Sequence, residues 1–178
     1  MTLGRRLTPV FVWAAVVVVF DLLTKRLIES SFRLGECTTL VDAAVTFKLC
    51  YIRNPGVAFG LLADFAWRWR LPFFLLTAAA AGWILWEVFR EAGHLMLGRL
   101  ALGLIIGGAV GNFVDRVRYV EVVDFLDFWF GRWHFPTFNV ADSGITVGTC
   151  LLLLALWKSG LQEQPSWFRR TPKPGRGQ

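Results

Sequence analysis

Four stretches of the chain, about 9–28, 71–89, 95–114 and 138–157, run close to 20 residues with few interruptions by charge. At 1.5 Å per residue a helix of that length crosses a hydrocarbon core of roughly 30 Å. The pattern predicts four transmembrane helices. Between the first and second, residues 30–68 hold "TTLVDAAVTFKLCYIRNPGVAFGLL", where β-branched and aromatic residues surround an "NPG" turn. This predicts a small sheet lying on the membrane. Between the third and fourth, residues 118–137 hold "VVDFLDFWFGRWHFP". Such a density of aromatic rings suits a segment lying at the membrane interface. The expected fold is a mainly α membrane protein, with four transmembrane helices, a small extracytoplasmic β-sheet and an interfacial segment. Residues 1–160 form one domain, and 161–178 form a basic, disordered cytoplasmic tail.

Composition agrees with a membrane protein. The chain has 178 residues, 55% of them hydrophobic, and a mean hydropathy of +0.51, above the apolar share usual in soluble domains. Arg5 and Arg6 before the first run resemble the start of a signal peptide. The run continues past "VVVVF" without a small-residue cleavage site, so it reads as a retained helix. The net charge of +6 does not point to nucleic acid, because the arginines are spread along the chain without interleaved stacking aromatics. Basic flanks beside anionic lipid explain it more simply. Arg5, Arg6, Arg90, Arg99, Lys158 and the cations of the tail put both termini in the cytoplasm, with a modest bias.

The acids are unevenly placed. Of thirteen, only Glu87, Glu91 and Glu163 fall on the predicted cytoplasmic side. Asp21 and Lys25 are spaced i, i+4 on the first span and suit an ion pair. Asn112, Asp115 and Arg116 cluster at the end of the third. Asn139 and Asp142, at i, i+3, share a face at the start of the fourth. Polar groups at one membrane depth on three helices are costly alone and are expected to converge. Gly103, Gly107 and Gly111 form a small-residue face for close helix packing.

A polar plug is the plain reading of Asp21, Lys25 and Asn54, and Asp115 with Arg116 reads as a structural pair. Asp124 and Asp142 differ, since neither has a Lys or Arg within four residues. Two carboxylates in a half-dry site cannot both ionise easily, which makes one an acid and the other a base. Such a pair can activate water against a peptide carbonyl without a metal or a covalent nucleophile. Asp127 stands three residues from Asp124 and reads as an interface residue facing water. His94 and His134 lack zinc-site spacing, and Ser143 lacks a nucleophile frame. Cys150 reads as packing, whereas Cys37 and Cys50 are left open between free thiols and a disulfide.

Five blocks together resemble the lipoprotein signal peptidase (signal peptidase II) family of bacterial aspartyl peptidases: "DLLTK" (21–25), "NPGVAFG" (54–60), "GGAVGNFVDR" (107–116), "VVDF" (122–125) and "FNVADSGITVG" (138–148). Any one is weak, but five in order reach from the first span to the last. The resemblance implies removal of signal peptides from prolipoproteins, cut just before a diacylglyceryl-modified cysteine, at the inner membrane. It implies a catalytic dyad of Asp124 and Asp142, a small sheet at 36–65 that cradles the substrate, and a flap at 118–137 that bears Asp124. It assigns polar support around the substrate to Asn54, Gly56, Asn112, Arg116 and Asn139, and structural roles to Asp21, Lys25 and Asp115. It implies no cofactor or metal, a monomer, and partners limited to the lipidated precursor and membrane lipids. Pro55 departs from the small polar residue common in the family. The rival readings are a proton-coupled transporter, which predicts acids spread through the bilayer depth, and a non-catalytic scaffold, which predicts silent Asp124 and Asp142 substitutions. A G-x-G-D motif, the mark of other intramembrane aspartyl peptidases, is absent.

Overall fold

A computed structural model describes residues 3–55, 67–92 and 94–158. The order is α1 (Leu3–Ser31), β1 (Cys37–Val41), β2 (Val45–Asn54), α2 (Trp67–Ala92), α3 (Met96–Tyr119), β3 (Val122–Phe130), β4 (Trp133–Phe138) and α4 (Val140–Lys158). Four helices thus occur where four apolar runs predict them, each extending beyond the run at one end or both. Among the described residues α3, α4 and most of α1 are long and apolar enough to cross a membrane. The remaining expected span, 71–89, falls within the 26 residues of α2. Their outward faces carry large apolar side chains such as Phe20, Leu27, Leu153 and Trp157, each more than 60% exposed. A soluble surface would not tolerate such a continuous apolar covering, whereas lipid covers it at no cost.

α3 is the central helix and packs against α1 and α4. Its glycines set the spacing. A Cβ at Gly107 would lie 2.7 Å from the Ala14 carbonyl oxygen on α1, and one at Gly103 would meet Val10 and Trp13. Gly108 faces Ala141 and Ile145 of α4, where Gly148 in turn faces Ala101 and Ile105. Bare backbone on both sides lets the axes approach closely, the main source of helix association where no hydrophobic driving force acts. Val10, Leu102 and Phe89 join α1, α3 and α2 nearer the other end.

The sheet caps one end of this bundle. Its strands run antiparallel in the order β1-β2-β3-β4. Segment 118–137 therefore does not form a flap separate from the cradle. Pairing of β3 along β2 makes that segment the second half of the same sheet, with β4 at its edge, and the cradle expected at 36–65 supplies the first two strands among the described residues. The β3–β4 turn takes two residues, with Gly131 at φ +61° at the first central position, as a tight hairpin requires. Ile28 of α1 packs with Tyr51, Val123 and Phe125 and ties the sheet to the bundle. Cys37 and Cys50 are paired across β1 and β2 and form a disulfide.

Two junctions aim the sheet at the helices. α3 ends at Val120, in the left-handed region at φ 59°, whose N–H donates to the Arg116 carbonyl at 3.0 Å. That conformation is strained for a β-branched residue, and it turns the chain directly into β3. At the other junction a single residue, Asn139, separates β4 from α4.

Candidate active site

The site grows from the start of α4. Asn139 is its N-cap: the side-chain oxygen Oδ1 accepts from the Asp142 N–H at 2.9 Å. Asp142 answers by accepting from the Asn139 N–H at 3.2 Å. This reciprocal pair is a capping box, with Asp in the place of the usual Glu or Gln. Asp142 is therefore held by the helix it begins, and its charge also suits the positive end of the helix dipole. Its other oxygen, Oδ1, accepts from Asn112 Nδ2 of α3 at 2.7 Å.

Asp124 comes from β3. It is 3% exposed. Oδ1 accepts from Asn139 Nδ2 at 2.7 Å and Oδ2 from Asn54 Nδ2, at the end of β2, at 3.0 Å. Burial, with the Asp142 charge adding to it, pushes the Asp124 carboxyl up to about 7, against the two asparagine bonds that favour the ionised form. Asn139 thus bonds both carboxylates, to Asp124 through its amide and to Asp142 through its backbone. The same amide also reaches Asn112 Oδ1 and the Val123 carbonyl.

Behind these lies a buried ionic layer. Lys25 spends all three ammonium protons: on Asp21 at 2.8 Å, on Asp115 at 2.8 Å and on Asn112 Oδ1 at 3.1 Å. Asp21 accepts from the Ala141 N–H at 2.8 Å, in the first turn of α4, and Asp115 from the Val123 N–H at 3.1 Å, beside Asp124. Both carboxylates thus fix the backbone that carries Asp124 and Asp142. All three charges are at most 3% exposed, and a paired, fully bonded arrangement is the only inexpensive way to bury them.

The expected ion pair of Asp21 with Lys25 is present. Asp115 does not pair with Arg116. Consecutive residues on a helix point about 100° apart, so Asp115 turns to Lys25 while Arg116 Nη1 donates to the Asn112 carbonyl at 3.2 Å. The Arg116 charge still acts on Asp142, Asp124 and Asp115. Asp127 does not face water. It is 5% exposed and accepts from Trp129 Nε1 at 2.9 Å, from Thr137 Oγ1 at 3.3 Å and from His134 Nε2, so it pins the β3–β4 hairpin. Gly56 lies outside the described residues, as does the tail after residue 158. Among the described residues no three His, Cys, Asp or Glu side chains gather to hold a metal. The Val123 and Ala141 backbone groups had no sequence signal, since any residue supplies them.

The family described as signal peptidase (SPase) II matches residues 13–158. The chain belongs to the signal peptidase II family. It is 45% identical over 152 residues to the lipoprotein signal peptidase of Syntrophotalea carbinolica, covering 85% of this chain and 92% of that one. The lipoprotein signal peptidase of Nitratidesulfovibrio vulgaris is 40% identical over 151 residues, 85% and 90% of the two chains. Among solved structures, a bacterial membrane enzyme determined by the in meso method at 2.3 Å resolution superposes with a TM-score of 0.70 at 31% identity, over 96% of each chain. Family, fold and polar set therefore coincide: in this signal peptidase II chain the aspartates, asparagines and lysine singled out above all lie inside the matched region.

Proposed function

We propose that this chain removes the signal peptide of prolipoproteins by aspartic chemistry, cutting just before a diacylglyceryl-modified cysteine. Asp124 and Asp142 are the catalytic residues. The observation that carries this reading is Asn139, which bonds both carboxylates from one position and so turns them toward one focus. Asp124, the more buried, retains a proton and donates a hydrogen bond to the scissile carbonyl oxygen. Asp142, half-buried and ionised, takes a proton from water as the oxygen attacks the carbonyl carbon. The Asp124 proton moves onto the carbonyl oxygen as the new C–O bond forms, which gives a tetrahedral diol; the diol collapses, a hydroxyl proton returns to Asp124, the C–N bond breaks, and the proton held by Asp142 passes to the leaving amine. Asn54 and Asn112 hold the dyad geometry, and Arg116 balances its charge.

The same parts support a placement in the membrane. α1 leads into the sheet and α4 leads out of it, so the far ends of both share the opposite side. A disulfide between β1 and β2 suits an oxidising compartment. The sheet is then extracytoplasmic, both termini are cytoplasmic and the membrane is the bacterial inner membrane. The dyad sits at the outer boundary, where lipid, apolar peptide and water meet. One chain supplies both carboxylates, so the enzyme works as a monomer. The test is cleavage of a purified prolipoprotein with and without diacylglyceryl on its cysteine. Cleavage confined to the lipidated precursor is expected, and equal cleavage of both refutes the substrate assignment.

A further inference from the structure

We propose that a cleft between the outer halves of α1 and α3 binds the phosphodiester headgroup of an anionic membrane phospholipid, at a place separate from the dyad. The cleft measures about 630 Å³, and Leu22, Leu23, Lys25, Arg26, Asp115 and Arg118 are among its lining; the buried Lys25 and Asp115 make its floor and the exposed Arg26 and Arg118 its mouth. The floor is a closed ion pair at 2.8 Å, so it offers no free charge. The mouth does. Arg26 and Arg118 are exposed, and among the described residues neither has a carboxylate within ion-pair distance. Glu29, the remaining acid on the lining, already faces Arg53 at 4.0 Å.

Two unpaired guanidiniums on neighbouring helices suit one phosphodiester, because each presents a planar fork of donors to the phosphate oxygens. The approach to them marks the ligand as a lipid. Leu23, Arg26, Leu27 and Ser30 fall at i, i+3, i+4 and i+7, one face of α1. Leu23 and Leu27 on that face are 62% and 63% exposed. Acyl chains can lie along these leucines while the headgroup rests between the arginines. Arg118 stands in the last turn of α3, near headgroup depth if α3 crosses the bilayer. Basic clefts between spans are common headgroup sites.

The test is native mass spectrometry of the detergent-purified chain with phosphatidylglycerol, and the same lipid titrated against wild type, Arg26→Gln, Arg118→Gln and the double variant. The expected result is a retained lipid adduct in the wild type, an intermediate loss in each single variant and at least a tenfold weaker affinity in the double variant. Melting temperature without lipid, and cleavage of a prolipoprotein in detergent, should match the wild type in all three. Diacylglycerol, which lacks the phosphate, should not be retained. Equal retention of phosphatidylglycerol by the double variant, or equal retention of diacylglycerol, overturns the proposal. Inorganic phosphate that displaces the lipid at equal concentration overturns it too, since the site would then read a soluble anion.

Discussion

Gly111→Ala is a one-methyl test of how the buried ionic layer supports the site. The added Cβ would lie 2.5 Å from Asp21 Oδ2, 3.1 Å from its Cγ and 3.3 Å from Ala141 Cβ. Ordinary contact begins near 3.4 Å, so the carboxylate must retreat by about 0.9 Å. It has nowhere to go. Asp21 is fully buried and is held at 2.8 Å by Lys25 and at 2.8 Å by the Ala141 N–H. Overpacking alone costs about 1–3 kcal/mol, and breaking a buried charge pair about 3–5. A loss of about 3 kcal/mol is a fair central figure, which lowers the melting temperature by roughly 6–12 °C for a chain of this size. Because Asp21 holds the first turn of α4, where Asp142 sits, cleavage by the folded enzyme should also fall. Gly103→Ala supplies the contrast, since its Cβ would strike Trp13 and the Val10 carbonyl, far from the polar set. It should destabilise with little effect on the rate per folded molecule. Gly82→Ala meets nothing within 4 Å and should be neutral or slightly stabilising. The assay is thermal unfolding in detergent beside turnover of a lipidated precursor. The reasoning is refuted if Gly111→Ala melts and turns over like Gly82→Ala.

Other expectations follow from single contacts. Asn139→Ala removes the N-cap bond and the 2.7 Å bond to Asp124, so stability should fall by at least about 1 kcal/mol and kcat by a hundredfold or more, read from melting and initial rates. Asp127→Asn disturbs the acceptor for Trp129, Thr137 and His134; it should lower stability by about 1–3 kcal/mol yet leave turnover per folded molecule near wild type. Asp124, raised to about 7 from 3.8, binds its proton more tightly folded than unfolded. Its contribution to stability is therefore greatest below about pH 4 and is lost as pH rises toward 7, and cleavage should decline through an ionisation in that upper range. Asn54→Ala removes a bond to the ionised form, so that limb of the pH–rate profile should move to higher pH.

What was legible in the sequence was whatever depends on near neighbours. The apolar runs mark four helices because a span needs about 20 residues of one character. The i, i+4 spacing of Asp21 and Lys25 and the i, i+3 spacing of Asn139 and Asp142 mark shared faces. The convergence of Asp124 with Asp142 was readable as an expectation because neither has a local cation. Long-range pairings were not legible. That β3 adds to β2 depends on paired residues 68 to 85 positions apart, so the flap and cradle read as two things. The partner of Asp115 lies 90 residues away on α1, and its sequence neighbour Arg116 was the misleading choice. Asp127 reads as exposed because the donors that bury it come partly from β4, across a turn.

The most direct measurement is cleavage of a diacylglyceryl-modified prolipoprotein by the wild type, Asp124→Asn and Asp142→Asn, each shown to be folded by its melting curve. Both substitutions keep the side-chain shape and remove the acid. The account predicts a rapid product band for the wild type and a loss of at least a thousandfold in each variant with folding intact. A folded Asp142→Asn or Asp124→Asn chain that still cleaves at a rate near wild type would contradict the dyad and return these aspartates to a structural polar plug.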